Sequence, residues 1–228
     1  MSKKFWIIGV STVLILAVLM FGGLFVVKRM PFWANMSTTV ESAGRDYSAK
    51  FHIPPVHSIH DGNHDGVDDQ TNLLRSAKVY LSSRPKYASK YYATGYPDDG
   101  YGVCTDVIAQ AFVGAGYDFR ELVDTDIHAH PHDYAIEVPD KNIDFRRVPN
   151  LLVYFQHTAS ALTTDPHDYA QWQPGDIVIF NNHIGMVSDR RDAYGIPYVL
   201  HHNNASQKSF EEDILLSRHD IVGHFRVK

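Results

Sequence analysis

Among its 228 residues the chain has one cysteine, Cys104, and fourteen histidines. A thiol performs acyl transfer only as a thiolate or beside a base, and imidazole is the side chain suited to take its proton near neutral pH. Cys104 opens the run C-T-D-V-I-A-Q-A-F-V-G-A-G, with apolar residues at 107, 108, 111 and 112 and glycines at 114 and 116. That pattern predicts an amphipathic helix with a glycine stop, which puts the thiol at its first turn. There, backbone N–H groups and the positive end of the helix dipole favour thiolate. His183 follows the polar turn Asn181-Asn182 and opens H-I-G-M-V-S, while His201 ends the apolar run Y-V-L-H. In an antiparallel hairpin these strand ends meet. One imidazole then serves as general base to Cys104, and the other orients it through the distal ring nitrogen. His202 takes the place of His201 if the register slips by one residue.

The elements around these residues fall into two halves. Apolar positions at helical spacing predict helices over 72–83, 104–114 and 150–157, with a glycine- and tyrosine-rich structured loop over 91–103. Tyr96 and Tyr101 in that loop are candidate walls of a substrate cleft, and Asp106 either contributes to the cleft or supports the helix N-terminus. Beyond the turn Gln173-Pro174-Gly175-Asp176, strands are predicted at 177–180, 183–188, 198–201 and 221–227. Helices first and antiparallel strands second make the fold class α+β, with N-terminal helices packed on an antiparallel sheet.

Residues 61–72, D-G-N-H-D-G-V-D-D-Q-T-N, follow the spacing of an EF-hand calcium loop. Asp61, Asn63 and Asp65 supply side-chain oxygens, Gly66 makes the sharp turn and Val67 offers its carbonyl. Asp69 occupies the ninth position, and Asn72 replaces the usual bidentate acid. A weak structural Ca²⁺ site is expected, and no cofactor for catalysis. The triplet His128, His130, His132 resembles a metal cluster, but alternation around Pro131 suits a loop, and no acid at helical spacing is evident, so zinc is not expected there.

Residues 5–27 carry no charge, and 23 residues of helix span about 34 Å at roughly 1.5 Å per residue, enough for a bilayer core. The run K-R-M-P-F-W after it fits an uncleaved signal anchor. The expected organisation is a cytoplasmic tip and transmembrane anchor over 1–29, a stalk over 30–58 and a catalytic domain over 59–228. Without the anchor segment the chain has 17 basic and 26 acidic side chains, formally −9, which disfavours nucleic acid as a partner.

Taken together, Y-P-D-D-G-Y-G-V-C-T-D, N-I-D-F-R-R-V-P-N-L, P-G-D-I-V-I-F, H-I-G-M-V-S-D and I-V-G-H-F-R resemble a bacterial family, domain of unknown function 1287. More distantly, a helix-starting cysteine followed by two strand histidines resembles the papain-like NlpC-type peptidases and amidases. The resemblance implies a papain-like fold, Cys104 as nucleophile, His183 as general base and His201 as the orienting third member. It also implies amide hydrolysis on a peptide or peptidoglycan stem peptide outside the cell membrane. Val103 and Thr105 depart from the aspartate and serine that usually flank the NlpC-type nucleophile. The competing expectation is a non-catalytic, calcium-dependent binding or structural module on the same fold.

Overall fold

The computed structural model describes residues 40, 42 and 44–228. The anchor expected over residues 5–27 lies outside them. Among the described residues no helix is long and apolar enough to cross a membrane.

Four helices precede most of the strands. Helix α1 spans Asp69–Ser82, α2 Cys104–Gly114, α3 Phe119–Ala129 and α4 Val148–Thr158. Two-residue strands β1 (Lys86–Tyr87) and β2 (Tyr101–Gly102) pair in parallel between α1 and α2. The main sheet follows, with β3 at Ala159–Ala161, β4 at Ile177–Phe180, β5 at His183–Arg191, β6 at Pro197–Leu200, β7 at Glu211–Glu212 and β8 at Ile221–Val227. Its order is β3-β8-β4-β5-β6-β7 with every neighbouring pair antiparallel, so the α+β class holds.

Each element follows from local chemistry. Asp68 caps α1 by accepting from the Thr71 amide, and Asp118 caps α3 by accepting from the Glu121 amide. Gly116, with φ +94°, ends the α2 segment where an added Cβ would stand 2.8 Å from the Asn63 backbone nitrogen. Only glycine satisfies both that backbone angle and that approach. The helices bury one aromatic seam. Phe112 and Phe119 lie 4.4 Å apart, centroid to centroid, and Phe155 stacks at 6.0 Å on Phe225 of β8. All four rings are buried, and each contributes roughly 1.5–3 kcal/mol of apolar transfer.

Helix α3 and strands β1, β2, β3 and β7 were not expected from the sequence. The expected stalk also differs over its described part, because Ser42, Tyr47 and Val56 are hydrogen-bonded to the sheet and to the turn before β4. Ser42 bridges to Glu211, the Tyr47 amide donates to the Arg191 carbonyl at 2.9 Å, and the Val56 amide donates to Gln173 at 3.2 Å. These bonds tie the segment to β5, β7 and the turn before β4.

Candidate functional site

Cys104 is the first residue of α2 and is partly buried. The helix start is fixed from below. The Asp106 carboxylate accepts from the Val103 amide at 2.7 Å and from Arg146 Nε and Nη2 at 2.7 and 2.9 Å. Asp106 is fully buried and Arg146 nearly so. A bidentate pair of this kind fixes geometry. Asp106 therefore anchors the helix and does not face a cleft.

The Cys104 sulfur is approached by the backbone amides of Ile184 and Thr105, both of which pull its pKa down. Burial acts more strongly in the other direction and pushes the thiol above its ordinary value. The thiolate expected from the helix position is thus corrected: at neutral pH the sulfur keeps its proton, because desolvation outweighs the donors at the helix start. Since Ile184 N is bonded to the carbonyl carbon of His183, the sulfur lies beside the 183–184 peptide.

Strands β5 and β6 bring the histidines together. Met186 stands opposite Leu200, and one more residue of that register sets Gly185 opposite His201. His183 is then the diagonal neighbour of His201 on the same face. Gly185 has no room for a side chain: a Cβ there would meet Val199 Cγ1 at 2.4 Å and the Leu200 carbonyl oxygen at 3.0 Å. The rings meet edge to face, with His183 Nε2 2.9 Å from His201 Nδ1. His201 Nε2 in turn lies 3.0 Å from Glu212 Oε2 on β7.

Valence assigns the hydrogens along this chain. A carboxylate only accepts, so His201 Nε2 donates to Glu212. Neutral His201 then accepts at Nδ1, His183 donates from Nε2, and His183 Nδ1 is left with a lone pair. Among the described residues that nitrogen makes no hydrogen bond, and no hydrogen bond joins the Cys104 sulfur to either imidazole. Burial, followed by the neighbouring His201, pushes the His183 pKa down to about 3. His183 is therefore an uncharged base across the physiological range. His202 stands apart, packed edge-on against Tyr87 and Phe210, with its pKa pushed down to about 4 by burial. His201 rather than His202 bonds to His183.

A cavity of about 410 Å³ lies beside this cluster. Tyr87, Tyr101, His202 and Gln207 line it together with Arg84 and Lys86, and none of its lining residues is acidic. Tyr87 is close enough to feel the charge state of Cys104, and Gln207 lies 3.4 Å from both Glu212 Oε2 and the His201 carbonyl. Tyr101 thus does border a cavity, with the Lys90 ammonium 3.4 Å over its ring. Tyr96 does not line that cavity: its hydroxyl joins Asp118 and the Arg120 amide, and its ring packs on Phe145. Glu212 and Gln207 were not identified from the sequence.

The loop over 61–72 closes on itself. Asp61 accepts from the Asp65 and Gly66 amides at 3.1 and 2.9 Å, and Gly66 takes φ +85° at the sharp turn. Asn72 Nδ2 points at Asn63 Oδ1, Asp65 Oδ1 and the Val67 carbonyl, at 3.4, 3.2 and 3.1 Å. The Asp69 carboxylate is engaged elsewhere, by the Gly62 amide and the Tyr117 hydroxyl. Oxygens at positions three, five and seven converge, with an amide nitrogen among them.

Residues 74–227 match a family model described as Domain of unknown function (DUF1287). The chain is 37% identical over 153 residues to a protein of Escherichia coli (strain K12) described as Uncharacterized protein YijF, a match covering 62% of this chain and 72% of that protein. No solved structure matches the chain.

Proposed function

The chain belongs to the family called domain of unknown function 1287, and from that premise we propose that it is a cysteine hydrolase, a peptidase or amidase working through an acyl-enzyme. The observation that carries this reading is the hydrogen-bonded series Glu212–His201–His183, which leaves a lone pair on Nδ1 of the residue whose peptide to Ile184 faces the Cys104 sulfur.

In this reading His183 Nδ1 takes the thiol proton as sulfur attacks the amide carbonyl, so no resting ion pair is required. The Cys104 N–H, without an acceptor inside its helix, donates to the developing oxyanion. His183 then protonates the leaving amine as the C–N bond breaks. Water attacks the thioester with its proton passing to His183, and the thiol is restored. His201 and Glu212 keep the ring in the tautomer that makes Nδ1 the base.

We read the helix-and-sheet arrangement as papain-like and NlpC-type, and the substrate as a peptide, specifically the stem peptide of peptidoglycan. The domain works outside the cell membrane, anchored through residues 5–27. Purified peptidoglycan incubated with the protein should release new amine termini, detected by mass analysis of the fragments, and Cys104→Ser should abolish that release while leaving the circular dichroism spectrum intact. Equal release by the serine variant would overturn the proposal.

The same reading keeps a weak structural Ca²⁺ at the 61–72 loop, held by Asp61, Asn63, Asp65 and Val67, with the Asn72 amide turned to present its oxygen. Millimolar Ca²⁺ should then raise the melting temperature, and Asp65→Ala should cancel the increase. The raised thiol pKa favours a second reading, a non-catalytic calcium-dependent module. Calcium stabilisation without any peptidoglycan cleavage would decide for it.

A further inference from the structure

The ends of α3 and α4 carry a second cluster, built from none of the residues of the Cys104–His183–His201–Glu212 site. Asp126 and His130 stand four residues apart at the end of α3, and His157 lies in the last turn of α4. His130 Nδ1 is 3.1 Å from Asp126 Oδ1, and His157 Nδ1 is 2.7 Å from Asp126 Oδ2. One ligand atom from each residue lies within 4.8 Å of the other two. From this geometry we propose that Asp126, His130 and His157 bind one divalent transition-metal ion, of which zinc is the best match.

Two nitrogens and one oxygen suit borderline zinc better than calcium or magnesium, which prefer oxygen. Ligand atoms held at about 2.0–2.1 Å in a tetrahedron stand about 3.3 Å apart, close to the spacings present. The groups that orient the ligands are also in place. The Tyr134 hydroxyl donates to Asp126 Oδ2, which leaves Oδ1 facing His130. Asp133 Oδ2 stands 3.4 Å from His157 Nε2, on the far side of the ring from Asp126. The negative charge of a carboxylate beside that distal nitrogen favours hydrogen on Nε2 and so Nδ1 as the metal donor. Asp126 is buried, whereas the histidine side chains are 48% and 25% exposed, so an ion enters from solvent and keeps one position for water. Bound there, the ion clamps the last turns of the two helices together.

Calorimetric titration of the metal-free full chain with Zn²⁺ should give one site. Co²⁺ in its place should produce the visible absorption of a four-coordinate ion. His157→Ala and His130→Ala should each weaken binding at least about 100-fold, and Asp133→Asn about 10-fold. A variant carrying both His128→Ala and His132→Ala, and separately Cys104→Ser, should bind as the parent does. The half-exposed His130 makes its variant safe for folding, and circular dichroism of each metal-free variant checks that the fold is kept. Absence of one-to-one binding, survival of binding in His130→Ala, or its loss in the His128/His132 variant overturns the proposal.

Discussion

Two histidine clusters sit on the same sheet and are built in opposite ways. At the β4–β8 pairing, fully buried Asp176 accepts from Gln70 Nε2 at 2.9 Å, the Gln173 amide at 2.8 Å, and Arg226 Nε and Nη2 at 2.8 and 2.7 Å, with His224 Nε2 at 3.0 Å. His224 also reaches the Thr163 carbonyl from its other nitrogen and stacks flat on Trp172 at 3.8 Å. Both ring nitrogens are engaged, and α1, β4 and β8 are tied into one knot. At the β5–β6 pairing the Glu212–His201–His183 series ends on a nitrogen that makes no hydrogen bond among the described residues, in the residue whose peptide to Ile184 faces the Cys104 sulfur. A structural histidine is satisfied on both sides, whereas a reactive one keeps an atom available.

That contrast can be broken most directly by deletion. Asp176→Ala should cost about 3–5 kcal/mol in urea unfolding, because it strands buried His224 and partly buried Arg226. Cys104→Ser should change stability by less than about 1 kcal/mol, since a hydroxyl can accept from the Ile184 and Thr105 amides as the sulfur does. Comparable losses from the two would mean that both clusters are structural.

Acid should separate them next. An unfolded histidine titrates near 6.5, whereas folded His183 does so near 3 and His202 near 4. Below about pH 6.5 the unfolded chain takes up protons that the folded chain refuses, so stability falls as pH drops toward those values. By pH 5 His183 and His202 should each account for about 2 kcal/mol. Unfolding measured from pH 7 to 5 should slope accordingly, and His183→Gln should flatten the slope. A slope unchanged in that variant would remove the argument for a buried neutral base.

The smallest effect belongs to His202, whose Nδ1 is buried without a partner. His202→Phe keeps the edge contacts with Tyr87 and Phe210 and removes an unsatisfied atom, so it should stabilise the fold by up to about 1 kcal/mol. A thermal melt shifted downward would show that this nitrogen has a role after all.

Much of this arrangement was legible in the residues themselves. Apolar runs after polar turns located β4, β5, β6 and β8, and the glycine stop located α2 with Cys104 at its start. The meeting of His183 and His201 followed from hairpin register. Helix α3 was readable too, from Asp118 at the cap and Phe119, Val123 and Ile127 four residues apart, but the histidines after it drew the segment toward a loop. With α3 in place, Asp126 and His130 fall on one helical face, and the metal cluster becomes visible up to His157. Other features carried no local signal. Glu212 acts through a two-residue strand whose pairing with β6 crosses a loop, and Asp176 gathers partners from α1 and β8. The thiol's pKa depends on burial, which the pattern at a helix start does not encode.

The sulfur's position under the Ile184 amide has a practical use. With one cysteine in the chain, a maleimide dye or nitroxide attaches at a single atom, in the unaltered protein, next to the strand that bears His183. Its emission or line shape would then report ligand entry beside Tyr87 as a spectroscopic change, with no background from other thiols.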